Sequence, residues 1–234
     1  MDSVAKLFDR MDAWRHLPSY QLERRADLFF ALYLPQALEE KLGFAIQPEL
    51  IPEFPVRAST VCPDNLTNRS FKIDYLALSK DAAKAVFVEL KTDSASLRTK
   101  QDEYLRAAQG VGMHALLEGV LDIFCATREK KKYYCLLQHL AGMGLLRLPV
   151  ALGEIMTRSS LRGLAGVSRN VEITSQVRDC LVIYVQPNGT CRDIISFQEF
   201  LTVVQTYSDP VSRRFAHSLL HWAEVGAGEP RFRV

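Results

Sequence analysis

The sequence predicts an α/β fold. Three short apolar segments, FKIDYLAL, AVFVELKT and LVIYV, have strand length and are bounded by turn residues. Between and around them, apolar residues recur at helical spacing over much longer stretches. The coarse order is α, β, β, β, α, a helical elaboration, β, α, α.

Each element has its own local reason. Ser19 follows Pro18 and is placed to cap a helix beginning near Tyr20, in which Leu22, Ala26, Phe29, Phe30 and Tyr33 share a face. Pro35 lacks an N–H and should kink or divide this helix. The pattern resumes through Leu38 and Leu42, and Gly43 ends it. AIQPELIPEFPVRAS alternates and carries prolines, which suits an edge-like strand or an extended arm. A loop rich in Pro, Asn, Asp and Thr runs from Cys62 to Arg69. Strands are expected over Phe71 to Leu78 and Ala85 to Thr92, joined by SKDAAK with its turn centred between Asp81 and Ala82. DSAS caps a long helical stretch from Leu97, where Gly110, Gly112 and Gly119 predict breaks or close packing. REKKKYY interrupts it, and a further helix runs through CLLQHLAG. Arg147 to Arg178 reads as mixed helix and loop. LVIYV is a buried strand stopped by QPNG, and two helices close the chain near Ser196 to Gln205 and Pro210 to Val225. The tail EPRFRV is loose or docked on a neighbour.

Length and composition bound the rest. A chain of 234 residues suits a single domain, with a core over 19–106 and 181–205, a helical elaboration over 107–180 and C-terminal helices over 206–234. The apolar share is 48% and the charged share 24%, so the chain is neither disordered nor of low complexity. No apolar run reaches the ~20 residues of a membrane span. MDSVAKLFDRMDAW lacks the apolar centre of a secretory signal. Five cysteines, Cys62, Cys125, Cys135, Cys180 and Cys191, are widely spaced without a CxxC, which suits reduced thiols and a cytoplasmic setting. The net charge of +2 does not by itself announce a nucleic-acid binder, so binding would need a local basic surface.

The chemistry gathers at Asp74, Glu89 and Lys91. In a hairpin centred between Asp81 and Ala82, residue 74 lies opposite residue 89, and opposed side chains share a face about 4.5–5.5 Å apart. Lys91 follows Glu89 by two residues and so projects to the same side. Two adjacent carboxylates in an apolar setting repel; one can take up a proton, or a cation can neutralise both. Oxygen donors favour Mg²⁺ or Mn²⁺, and the backbone carbonyl of Leu90 can add another ligand. Such an ion acidifies a bound water, and Lys91 can orient that water or stabilise phosphate charge, so the parts suit phosphodiester hydrolysis. The plain alternative is an ion pair at a solvated strand end.

These residues resemble the PD-(D/E)XK nuclease superfamily, of the restriction-endonuclease-like fold. IDYLAL supplies the aspartate of the second strand and VELK the E-x-K of the third. The resemblance implies an α-β-β-β-α-β core with a central mixed sheet flanked by helices. It covers Ser19 to Arg106 together with LVIYV. TKQDEYL places Gln101 and Tyr104 in the following helix, where one branch carries a glutamine and a tyrosine; the branch spacing is Q-x-x-x-Y and this chain has Q-x-x-Y. Many members carry a glutamate on the first helix, and Glu23 is the best match, with Glu39 and Glu40 as competitors. The proline that often precedes the aspartate is absent, and residue 73 is Ile. The cysteines lack the clustering of those relatives that bind an iron–sulfur cluster.

The resemblance implies a Mg²⁺- or Mn²⁺-dependent nuclease acting on nucleic acid, DNA before RNA. Asp74, Glu89 and the Leu90 carbonyl would hold the metal, with Asp74, Glu89, Lys91, Gln101 and Glu23 as catalytic candidates. The alternative is an inactive nucleic-acid-binding or scaffold protein with the same fold. Lys130, Lys131 and Lys132, within REKKKYY, are candidate nucleic-acid contacts with Arg98 and Tyr104, although a solvated turn between helices is the favoured reading of the basic run. His217 and His221 stand one helical turn apart without a third ligand, which favours packing or solvation. Arg158, Arg162, Arg169 and Arg178 lack a periodicity that would aim them at a channel. QGVGMH does not follow a strand and is no phosphate loop. No membrane partner is expected, and a homo-oligomer or larger complex stays open.

Overall fold

The computed structural model describes residues 3–15, 17, 18, 20–65, 69–92, 99–158 and 162–228. The proposed caps at Ser19 and in DSAS, and the tail EPRFRV, lie outside them.

Helix α1 (Ser3–Trp14) buries Phe8 and Met11, a stripe hidden in sequence by the charges between them. Helix α2 (Leu22–Leu42) runs unbroken through Pro35, against the expected division. The cost of the missing N–H is offset by burial on both sides of it, at Tyr33, Leu34, Ala37 and Leu38. Gly43 ends the helix in the left-handed conformation, φ 74°.

Strand β1 (Ile51–Arg57) is the expected proline-bearing edge strand, followed by a short helix α3 (Ala58–Val61). Strand β2 (Ser70–Leu78) pairs antiparallel with β1, Phe54 opposite Ile73 and Ile51 opposite Leu76. Strand β3 spans Lys84–Leu90, so Lys91 and Thr92 follow the strand instead of ending it. At the intervening turn, Ser79 N–H donates to Lys84 O at 2.9 Å and Ala83 N–H to Asp81 Oδ1 at 3.0 Å. Ser79 and Lys84 are equidistant from the expected turn centre.

Helix α4 (Thr99–Ala126) bends at Gly112, whose φ of 78° and ψ of 165° are non-helical. A Cβ on Gly119 would lie 2.6 Å from Thr60 Oγ1 and 3.3 Å from Arg57 Cβ, so α4 approaches α3 closely there. Both glycine expectations thus have structural counterparts. Helix α5 (Lys130–Gly142) begins inside REKKKYY, so the basic run forms its first turn. The stretch expected as helix and loop also contains a small antiparallel sheet, β4 (Leu146–Arg147) with β5 (Glu172–Ile173), around helices α6 (Val150–Thr157) and α7 (Leu164–Ser168).

Strand β6 (Asp179–Gln186) contains LVIYV. Strand β7 (Ile194–Ser196), not foreseen, pairs parallel with it, Tyr184 opposite Ile194, after a return through residues 187–193. Helix α8 (Phe197–Val204) starts on a capping box between Ser196 and Glu199, and α9 (Pro210–Gly228) closes the chain. The main sheet is mixed and five-stranded, in the order β1-β2-β3-β6-β7.

The chain forms two compact units. The first comprises 1–46, 88–98 and 183–234. Its core is aromatic: Phe8, Phe30, Phe197, Phe200, Phe215 and Trp222 are all buried, with Phe30 edge-on to Phe215 at 5.2 Å. Arg214 joins α9 to α1 through Asp9 at 2.7 Å and Asp12 at 2.8 Å, and Trp222 Nε1 donates to Asp12 at 2.8 Å. The second unit comprises 47–87 and 99–182. Its core is formed by Phe54, Ile73 and Phe87 of the strands and Leu117, Phe124, Leu137 and Leu140 of the helices.

Among the described residues, no helix is long and apolar enough to cross a membrane. All five cysteines are free thiols, and burial pushes the Cys180 thiol up to about 11, which makes it a poor nucleophile.

Candidate active site

Strand β3 reads KAVFVEL, and every residue from Ala85 to Leu90 is buried. It is the middle strand of the five, where both faces are covered and an alternating pattern is lost. Glu89 nevertheless occupies this strand at 1% exposure, and Lys91 and Thr92 follow at 7% and 3%. Lys91 N–H donates to Val185 O at 2.8 Å, so the backbone remains held by β6 beyond the end of β3.

The two charged side chains meet as the i, i+2 spacing requires. Lys91 Nζ lies 2.5 Å from Glu89 Oε1 in a buried ion pair. Next to it, Thr92 Oγ1 donates to Glu23 Oε2 at 3.1 Å. Glu23 stands in the first turn of α2, where the helix dipole favours a carboxylate. The first compact unit therefore gathers Glu89, Lys91, Thr92 and Glu23 around one turn of chain. Glu39 and Glu40, the competitors of Glu23, serve local structure: Glu39 accepts from Ile46 N–H at 2.8 Å and Glu40 from Gln36 Nε2 at 3.2 Å. Thr92 had no signal in the sequence, because its hydroxyl matters only through a partner far along the chain.

In the second unit, Asp74 lies half-buried on β2. It shares a face with exposed Ser70 and Lys72 on one side and buried Leu76 and Leu78 on the other. Gln101 and Tyr104 occupy the first turns of α4, both half-buried. The Tyr104 ring stacks on Phe71, centroids 4.8 Å apart. Leu90 is buried.

The basic candidates divide. Lys130 donates to the carbonyls of Phe124 and Cys125, each at 2.6 Å, and lies over the Phe124 ring at 5.5 Å. It thereby closes the C-terminus of α4. Lys132 pairs with Glu129 at 2.8 Å, which raises its pKa, and Lys131 is exposed. Arg98 lies outside the described residues. Arg158, Arg162, Arg169 and Arg178 are all exposed, as are His217 and His221.

Among the described residues, no group of three or more His, Cys, Asp or Glu is arranged to hold a metal ion. The donors expected from the sequence, the Asp74 and Glu89 carboxylates and the Leu90 carbonyl, are all oxygens. Oxygen donors are the kind Mg²⁺ takes, commonly one or two carboxylates with waters or substrate phosphate as its other ligands. No family model, curated protein or solved structure matches the chain.

Proposed function

We propose that the protein is a divalent-metal-dependent nuclease that hydrolyses phosphodiester bonds, with DNA as its substrate. The observation that carries this reading is the buried Glu89–Lys91 pair at the middle strand of the sheet. Removing two opposite charges from water costs several kcal/mol per ion, and an apolar pair would fill the same place at no loss of stability. Charges retained there support a role in chemistry.

Asp74 and Glu89, with the Leu90 carbonyl, would hold Mg²⁺ or Mn²⁺, which supplies Lewis acidity and an activated water when bound. The remaining work belongs to the chain. Lys91 Nζ orients the attacking water and offsets the negative charge that grows on the phosphate oxygens. Glu89 accepts from that ammonium and keeps it aimed. Glu23 holds Thr92, which anchors the backbone next to Lys91. Gln101 offers a neutral amide as both donor and acceptor.

The test is incubation of purified protein with linear, circular and single-stranded DNA and RNA in Mn²⁺. Wild type should cut DNA, whereas Lys91→Ala and Asp74→Ala should lose cleavage by at least about 100-fold with unchanged circular dichroism. Cleavage by Lys91→Ala at the wild-type rate would remove the catalytic assignment. The closed Glu89–Lys91 pair also favours a second reading, a nucleic-acid-binding scaffold in which the two charges only hold structure. No Mn²⁺ uptake by calorimetry at millimolar ion, together with no cleavage, would select it.

A further inference from the structure

The β1–β2 ladder joins Pro52 to Tyr75 and Phe54 to Ile73. Glu53 therefore lies across from Asp74. Its φ is +52°, a left-handed conformation that residues with a Cβ rarely adopt. Glycine or asparagine is the ordinary occupant of such a position, yet here a glutamate stands between two prolines.

The carboxylate has one evident destination. Glu53 Oε2 lies 2.5 Å from Lys72 Nζ, with side chains 49% and 59% exposed. A pair this exposed adds little to stability, so stability does not account for the strained backbone. Position does. Lys72 precedes Asp74 by two residues, on the same side of β2 and about 6.6 Å away along the strand. The face runs from exposed Ser70 and Lys72 through half-buried Asp74 to buried Leu76. A ligand reaching Asp74 from solvent along β2 passes Lys72 first.

We propose that Lys72 is a substrate-phosphate contact beside Asp74, and that Glu53 restrains its ammonium until the nucleic-acid backbone displaces the carboxylate. This rests on the nuclease reading of Asp74. A carboxylate that must be displaced opposes binding, so removing its charge strengthens the complex. Removing the ammonium deletes one released counterion.

The experiment is fluorescence anisotropy of a labelled DNA duplex in EDTA, across a NaCl series, with wild type, Lys72→Ala, Glu53→Gln and the exposed control Lys80→Ala. Lys72→Ala should weaken binding and make the slope of log K against log salt shallower by about one. Glu53→Gln should bind more tightly than wild type at low salt, and Lys80→Ala should behave as wild type. An unchanged slope for Lys72→Ala, or an equal loss for Lys80→Ala, overturns the proposal. If wild type cuts DNA while Lys72→Ala keeps the wild-type slope, only this assignment falls. If wild type neither binds nor cuts DNA, the nuclease reading falls with it.

Discussion

Glu89 and Lys91 are each nearly inaccessible, and each offsets the other's charge. Breaking the pair takes the adjacent countercharge away from a buried ion. Lys91→Met should therefore cost about 3–5 kcal/mol of unfolding free energy, while Glu89→Leu combined with Lys91→Met should recover most of it. Urea titration of the two singles and the double decides this; additive losses would contradict a direct coupling. This pair was legible because a period of two forces residues 89 and 91 to one side, whatever surrounds them. Lys130 was not. A basic run looks the same in sequence whether it meets phosphates or, as here, the last carbonyls of the preceding helix. Glu53 was equally hidden, since no pattern of side chains announces a positive φ on a glutamate between Pro52 and Phe54.

At the scale of elements, helix ends were read where their chemistry is local. Gly43 needed only its freedom at positive φ. Pro35 does not divide α2, because burial along the helix is a tertiary matter that a proline rule does not contain. Helix α8 shows a cap with a measurable consequence. Burial raises the Glu199 pKa, but hydrogen bonds from Lys41 Nζ and from the Ser196 N–H and hydroxyl outweigh it and hold the carboxyl below the usual range. A group with a depressed folded pKa stabilises fully above its unfolded value, near 4.3 for glutamate, and loses that contribution as pH falls through the folded value. Wild type should thus lose stability faster than Glu199→Gln on acidification below about pH 5. Parallel denaturation midpoints for the two across pH 6 to pH 3 would show that the cap is not coupled to protonation. Nearly half of the Glu199 side chain is exposed, so the difference will be small.

The whole molecule is threaded in a way that composition does not reveal. The chain leaves the first compact unit after residue 46, returns at 88, leaves again after 98 and returns at 183. Each unit is thus assembled from separated segments, and the first lacks Val185, Phe197, Phe200 and Phe215 until the last quarter of the chain is present. A fragment ending at residue 182 should bind a hydrophobic dye through the unfinished core of the first unit, whereas the full chain should not; a fragment that binds no more dye than the full chain would refute this dependence. The α/β class and the hairpin turn were legible because their signals are short-range. The threading and β7 were not, since three residues merging into a capped helix carry no strand signal of their own.

Strands β6 and β7 run parallel, yet the return between them uses only residues 187–193, where parallel neighbours usually need a crossover of a dozen residues or more. Asn188, Thr190, Cys191 and Arg192 in that return lie open to solvent. What holds the two strands together is their ladder, not the covalent link. The return is therefore the place where the backbone can be cut or lengthened with least effect on the sheet.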